Sequence, residues 1–132
     1  MKSLCYCTAA RGAARKITAL YDEALAPIGV NVAQFTLLRN LARQGDIALT
    51  ELGELLGLDR STIGRNVRIM EKIGLVSLGK GEDQRETAVA LTSKGKQVCR
   101  AGAPLWDTAQ SDIEQKLGRK KAAELRSLLA AL

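Results

Sequence analysis

A chain of 132 residues, 46% hydrophobic but only 3% aromatic, has the size of one folded unit packed through Leu, Ile, Val and Ala, and it disfavours a single-strand binder that stacks bases on aromatic rings. Twenty Lys and Arg against fourteen Asp and Glu leave a formal charge of +6, a balance suited to a polyanionic partner. Histidine is absent, which excludes Ser-His and Cys-His nucleophile pairs, imidazole acid-base chemistry and every zinc site with a histidine ligand, so the chain reads as a non-enzyme with no cofactor.

Leu4, Cys7, Ala10, Ala14, Ile17 and Leu20 recur at three- and four-residue steps and predict an amphipathic helix over 4–25, ended by Pro27 and Gly29. Arg11, Arg15 and Lys16 interrupt that stretch, so neither a signal peptide nor a membrane span is expected and the chain reads as cytoplasmic. Asn31, with Gln34 three residues on, has the pattern of a capping box and starts a second helix striped by Phe35, Leu38 and Leu41 and closed by Gly45. A brief strand fits Ile47 to Leu49.

Leu52, Leu55 and Leu56 make a short helix reaching Gly57, and Asp59 caps another that runs to about Lys72. Two short helices so closely joined are the outline of a helix-turn-helix, with Gly53 permitting close approach. After Gly74, Val76 to Leu78 and Thr87 to Leu91 read as strands of a hairpin around the polar segment Gly79 to Glu86. Thr92 starts a longer helical stretch whose register Gly102 and Pro104 loosen, and Gly118 separates it from a last helix carrying Leu125, Leu128, Leu129 and Leu132. Both ends are apolar-striped helices with little core to cover them, which predicts a homodimer.

On the helix that follows Asp59, at about 100° per residue, Val67, Met70 and Gly74 fall within about 40° of Ile63, while Ser61, Arg65, Arg68 and Lys72 cluster opposite. A solvated face tends to mix signs, and this row holds no acid. As the second helix of a helix-turn-helix, it is the element that enters a major groove. Arg65 is the candidate for a bidentate guanine contact, Arg60, Ser61 and Thr62 for bases or phosphates at the helix start, and Arg68 and Lys72 for positioning phosphates. In the hairpin loop region, Lys80 and Arg85 are candidates for a minor groove, with Asp83 expected to hold Arg85 through an ion pair.

The segment "ALTELGELLGLDRSTIGRNVRIMEKIGLVSLGKGEDQRETAVALTSKGK", residues 48 to 96, resembles the winged helix-turn-helix core of the MarR family of bacterial transcriptional regulators. The motifs that carry the likeness are "DRSTIGRNV" at 59–67, "EKIGLV" at 71–76, Asp83 with Arg85, and "LTSKGK" at 91–96. The resemblance implies a mainly α fold with a small β-hairpin wing: a winged helix-turn-helix with N- and C-terminal dimerisation helices. One domain would span 1–132, its core over about 31–91 and its dimerisation helices over about 3–26 and 92–132. It implies a homodimer on a palindromic operator in double-stranded DNA, repressing until a small molecule binds or a cysteine is oxidised. At "VSLGKG" Leu78 and Gly79 stand where many relatives carry arginine, which implies weaker wing contacts.

The stretch from Cys7 to Val30 is similar to the first helix of the organic-hydroperoxide-sensing branch of that family, which implies Cys7 as the reactive thiol and Tyr21 as one supporting tyrosine. Arg11 stands where a second tyrosine is expected, and Val32 and Phe35 replace further ones. Arg11 also places a positive charge one turn from Cys7. Three readings stay open for Cys5, Cys7 and Cys99: an oxidant sensor, small buried apolar residues of a helical core, or a soft-metal site. Two rival functions also remain, a thiol protein that reacts with peroxides and a winged-helix adaptor that binds protein and not DNA.

Overall fold

The computed structural model describes residues 5–83 and 85–132; the helix start predicted at Leu4 lies outside the described residues. The elements are α1 (Tyr6–Leu25), a 3-10 turn (Ala26–Ile28), α2 (Val32–Gln44), β1 (Ile47–Ala48), α3 (Leu49–Leu56), α4 (Arg60–Lys72), β2 (Val76–Lys80), β3 (Thr87–Leu91), α5 (Ser93–Leu117) and α6 (Arg119–Ala130). The architecture is mainly α with a small antiparallel sheet, ordered β1-β3-β2, so the hairpin expected from the sequence gains a third strand. Ile47 pairs with Val89 on one side of β3, and Leu78 pairs with the same Val89 on the other.

Local chemistry starts these elements where the sequence places their caps. At α2 the capping box is complete: the Asn31 side chain accepts the Gln34 N–H at 2.8 Å while Gln34 Oε1 accepts the Asn31 N–H at 2.9 Å. Val32 N–H donates to Asp22 Oδ1 at 2.7 Å, tying the end of α1 to the start of α2. Between α3 and α4 the chain reverses through Gly57 at φ 67°, a left-handed value that favours glycine. A Cβ on Gly53 would stand 3.1 Å from Ile63 Cγ2 and 3.2 Å from the Leu58 carbonyl oxygen, so the glycine does let the two helices of the turn approach.

The core sits in the middle of the chain. Phe35, Leu37, Leu38 and Leu41 of α2 meet Leu52 of α3, Ile63, Val67 and Met70 of α4, and Val76 and Val89 of the sheet. Burying each such side chain stabilises the fold by roughly 1.5–3 kcal/mol before chain entropy is set against it. Leu55 points outward. Gly74, assigned above to the core stripe of α4, lies past the end of that helix at φ 80°, because Ile73 already caps it.

Helix α5 is one unbroken element across Gly102 and Pro104, contrary to the loosened register expected there. Gly102 is buried where a Cβ would collide with the Phe35 ring and Ile28, so it serves close packing of α5 on α2. The start of α5 is fastened to the end of α4. Thr92 Oγ1 accepts the Gly95 N–H at 3.0 Å and donates to the Gly74 carbonyl at 2.6 Å, while Lys94 Nζ donates to the Ile73 carbonyl at 3.0 Å. The outer face of α6 finds no cover among the described residues: Leu128 is 67% and Leu129 56% exposed. No described helix is long and apolar enough to cross a membrane.

Candidate nucleic-acid interface

Helix α4 begins on Asp59, whose carboxylate accepts the Thr62 N–H at 2.7 Å and the Ser61 hydroxyl at 3.0 Å. The Thr62 N–H foremost, then the Thr62 and Ser61 side chains and the Arg65 charge, hold that carboxyl below its ordinary range. The cap keeps the first turn tight and commits the Ser61 proton to Asp59, leaving its oxygen to accept from a partner.

From this start the helix separates its faces. Ile63, Val67 and Met70 are buried, and Ser61, Arg65, Arg68 and Lys72 are all exposed. Arg60 is exposed at the first helical position and Thr62 is half-buried. Ile69, 50% exposed, borders the basic row and escaped the sequence reading; its offset of about 120° from Ile63 on the helical wheel was the available signal.

The wing differs in two details from expectation. Lys80 is the last residue of β2, paired with Thr87, and so belongs to the strand and not to the loop. Asp83 holds Arg85 through its backbone: Oδ1 accepts the Arg85 N–H at 3.1 Å, a local turn bond that leaves the guanidinium free of the expected ion pair. Among the described residues the one ion pair joins Arg126 to Glu114 at 2.7 Å, on α6 and α5. Every cation on the α4 row and wing is therefore without an acid partner among the described residues, and their fields add.

The thiols are not small buried residues at the head of α1, since Cys5 and Cys7 are both exposed there. Cys5 is the N-cap: its sulfur lies 2.9 Å from Thr8 Oγ1 and accepts the Thr8 N–H at 3.3 Å. The Thr8 hydroxyl bond, then the Thr8 and Cys7 N–H groups, draw the Cys5 thiol below its usual range. Tyr21 stands near the other end of α1, about 21 Å from Cys7 at 1.5 Å per residue, with its ring 6.2 Å from that of Trp106. The chain by itself does not bring Cys5 and Cys7 together with Tyr21. Burial pushes the half-buried Cys99 thiol up, with Arg39 and Arg100 opposing. Among the described residues no group of three or more His, Cys, Asp or Glu side chains is placed to hold a metal ion.

The sequence model of the MarR family matches residues 30–87, which run from the approach to α2 through the start of β3. The transcriptional regulator MosR of M. tuberculosis, solved in complex with DNA, is 32% identical, with a TM-score of 0.80 and 97% of this chain and 98% of that one covered. The chain belongs to the MarR family of transcriptional regulators. The HTH-type transcriptional regulator FarR of Neisseria gonorrhoeae is 32% identical over 100 residues, 75% of this chain and 68% of that protein. YwoH of Bacillus subtilis, also an HTH-type transcriptional regulator, is 31% identical over 84 residues, a match spanning 64% of this chain but 61% of that protein. The basic row of α4 and all but the last four residues of the β2–β3 hairpin fall inside the stretch matched by the MarR model, whereas α1, α5 and α6 fall outside it and are covered by the likeness to MosR.

Proposed function

We propose that this MarR-family regulator binds double-stranded DNA as a homodimer, acting by occupancy and not by catalysis. One α4 enters the major groove of each half of an inverted repeat, and each wing reaches the flanking minor groove. The observation that carries this reading is the acid-free exposed row Ser61, Arg65, Arg68 and Lys72 on the second helix of the helix-turn-helix, with no acid of the described chain paired to it. Arg65 reads a base edge, Arg60, Ser61 and Thr62 contact bases or phosphates, and Arg68 and Lys72 hold phosphates. Lys80 and Arg85 serve the wing. Helices α2 to α4 with the sheet form the DNA lobe, and α1, α5 and α6 the dimerisation arm. The MosR structure with DNA and the FarR likeness support the assignment.

Occupancy represses, and an effector, an oxidant or a small molecule, releases the DNA. The exposed Cys5 and Cys7 at the head of the dimerisation arm support the oxidant. A thiolate sulfur attacks the terminal oxygen of an organic hydroperoxide, the O–O bond breaks, the alkoxide leaves and takes a proton from water to become an alcohol, and the sulfur becomes a sulfenic acid that reshapes the arm. Selection of bound duplexes from a random pool, followed by titration of the winner across salt concentrations with and without hydroperoxide, tests both parts. The expected result is an inverted repeat whose affinity falls steeply with salt and is lost on oxidation. No enriched sequence would overturn DNA reading in favour of an adaptor, and an indifferent complex would remove the oxidant and leave a small molecule as effector.

A further inference from the structure

We propose that a notch between the start of α3, the start of α4 and the turn of the wing seats one backbone phosphate of the bound duplex, and that Thr50 belongs to that seat. The proposal rests on the DNA-binding reading above and refines it. The notch has a volume of about 120 Å³ and is lined by Leu49, Thr50, Arg60, Arg85, Glu86 and Thr87. Those residues come from three places in the chain, brought together because β1 pairs with β3: Ala48 lies opposite Ala88, so the chain entering β3 at Thr87 runs beside the chain leaving β1 into α3.

The lining offers two guanidiniums and two hydroxyls against one carboxylate, a positive balance in a small concave space. Neither arginine is in an ion pair among the described residues, and Thr50 is exposed. Guanidiniums fork onto phosphate oxygens and threonine hydroxyls donate to them, and a space of this size holds a phosphate group more readily than a whole base. The position selects the source of the phosphate. In B-form DNA the major and minor grooves are divided by a sugar-phosphate strand, so a protein with a helix in one and a wing in the next must straddle that strand. Arg60 stands at the head of the groove helix and Arg85 at the turn of the wing, and the notch lies between them. A basic row read along α4 alone leaves Thr50 out, because it sits on a different helix and carries no charge.

The test uses the full chain and a set of otherwise identical duplexes carrying the selected site, each with a single phosphate replaced by an uncharged methylphosphonate. Dissociation constants are measured for the unaltered protein and for Thr50→Val, Arg60→Ala and Arg85→Ala, all three positions being exposed and outside the core. One replacement per half-site, between the segments under α4 and under the wing, is expected to weaken the unaltered protein on the order of tenfold. The same replacement should cost each of the three variants far less, since the contact it removes is already missing. If the unaltered protein binds the site and the variants lose affinity equally on every duplex of the set, the seat does not exist. If the unaltered protein binds no duplex, the DNA reading falls and the seat with it.

Discussion

Arg65 and Lys72 stand two turns apart on the exposed face of α4, yet their chemistry suits them to different work on the proposed duplex. A guanidinium presents a planar fork that matches the two acceptors of guanine, whereas an ammonium is a point charge that serves any phosphate equally well. Arg65→Ala is expected to cost about 1–3 kcal/mol on the selected site and to flatten discrimination at one base pair per half-site. Lys72→Ala is expected to weaken all duplexes alike and to reduce the salt slope by about one unit per subunit. Anisotropy titrations on matched and mismatched duplexes separate the two, and equal loss of specificity in both variants would refute the division. Asp59 sets the frame from which these side chains project. Its carboxyl is held below the ordinary range, so the cap contributes stability above the unfolded value, roughly 3.9, and loses it as pH falls through the lower folded value. Asp59→Ala should therefore lower the melting temperature at neutral pH and narrow its gap to the unaltered protein in acid, readable by circular dichroism melts. These residues were legible in the sequence because cap, period and charge all lie within one helix. Thr50, the free guanidinium of Arg85 and the cap made by Cys5 were not, since each depends on partners set by strand pairing or by a local bond that several side chains could have made.

Elements show the same boundary between near and far. The Asn31 capping box, the α4 stripe and the Thr92 start of α5 were readable from residues within a turn or two of each other, and each stands in the structure. The ends of elements were less readable: β2 runs on to Lys80 because Thr87 is there to pair with it, and α4 stops before Gly74. Gly102 is the clearest case. In sequence it sits beside Pro104 and suggests a weak point in a helix, but its reason is a ring on α2 that no local pattern reveals. Gly102→Ala would improve intrinsic helix propensity by about 1 kcal/mol while driving a methyl into Phe35 and Ile28. Overpacking of this kind costs typically 1–3 kcal/mol, so the net expectation is destabilisation in urea unfolding. Adding Phe35→Leu in the same chain should recover part of the loss, because the colliding ring is removed; a stabilised Gly102→Ala would show that α5 has room to move off α2.

At the scale of the molecule, the most exposed leucines of any helix, Leu128 and Leu129, lie on α6, away from the core of α2 to α4 and the sheet. Leu128 and Leu129 contribute nothing to the core of their own chain, and they follow Leu125 on a helix that packs chiefly against α5. An exposed leucine pair on a terminal helix is best explained by a second copy, whose own α6 presents the same residues to an isologous contact. Leu128→Asp places a charge where that contact would be dry, yet it meets only solvent in the single chain. The variant is expected to keep its far-ultraviolet circular dichroism and to sediment as a monomer at concentrations where the unaltered chain is a dimer. Its effect on DNA follows from linkage: two half-sites read by one dimer are bound as a unit, so separated chains lose the gain of effective concentration. A monomer contacts one half-site and releases half the counterions, so the slope of log affinity against log salt should fall by about half while the preference for each half-site sequence is kept. A variant that stays dimeric would move the interface away from α6, whereas a monomer with undiminished affinity and slope would mean that one chain is the binding unit.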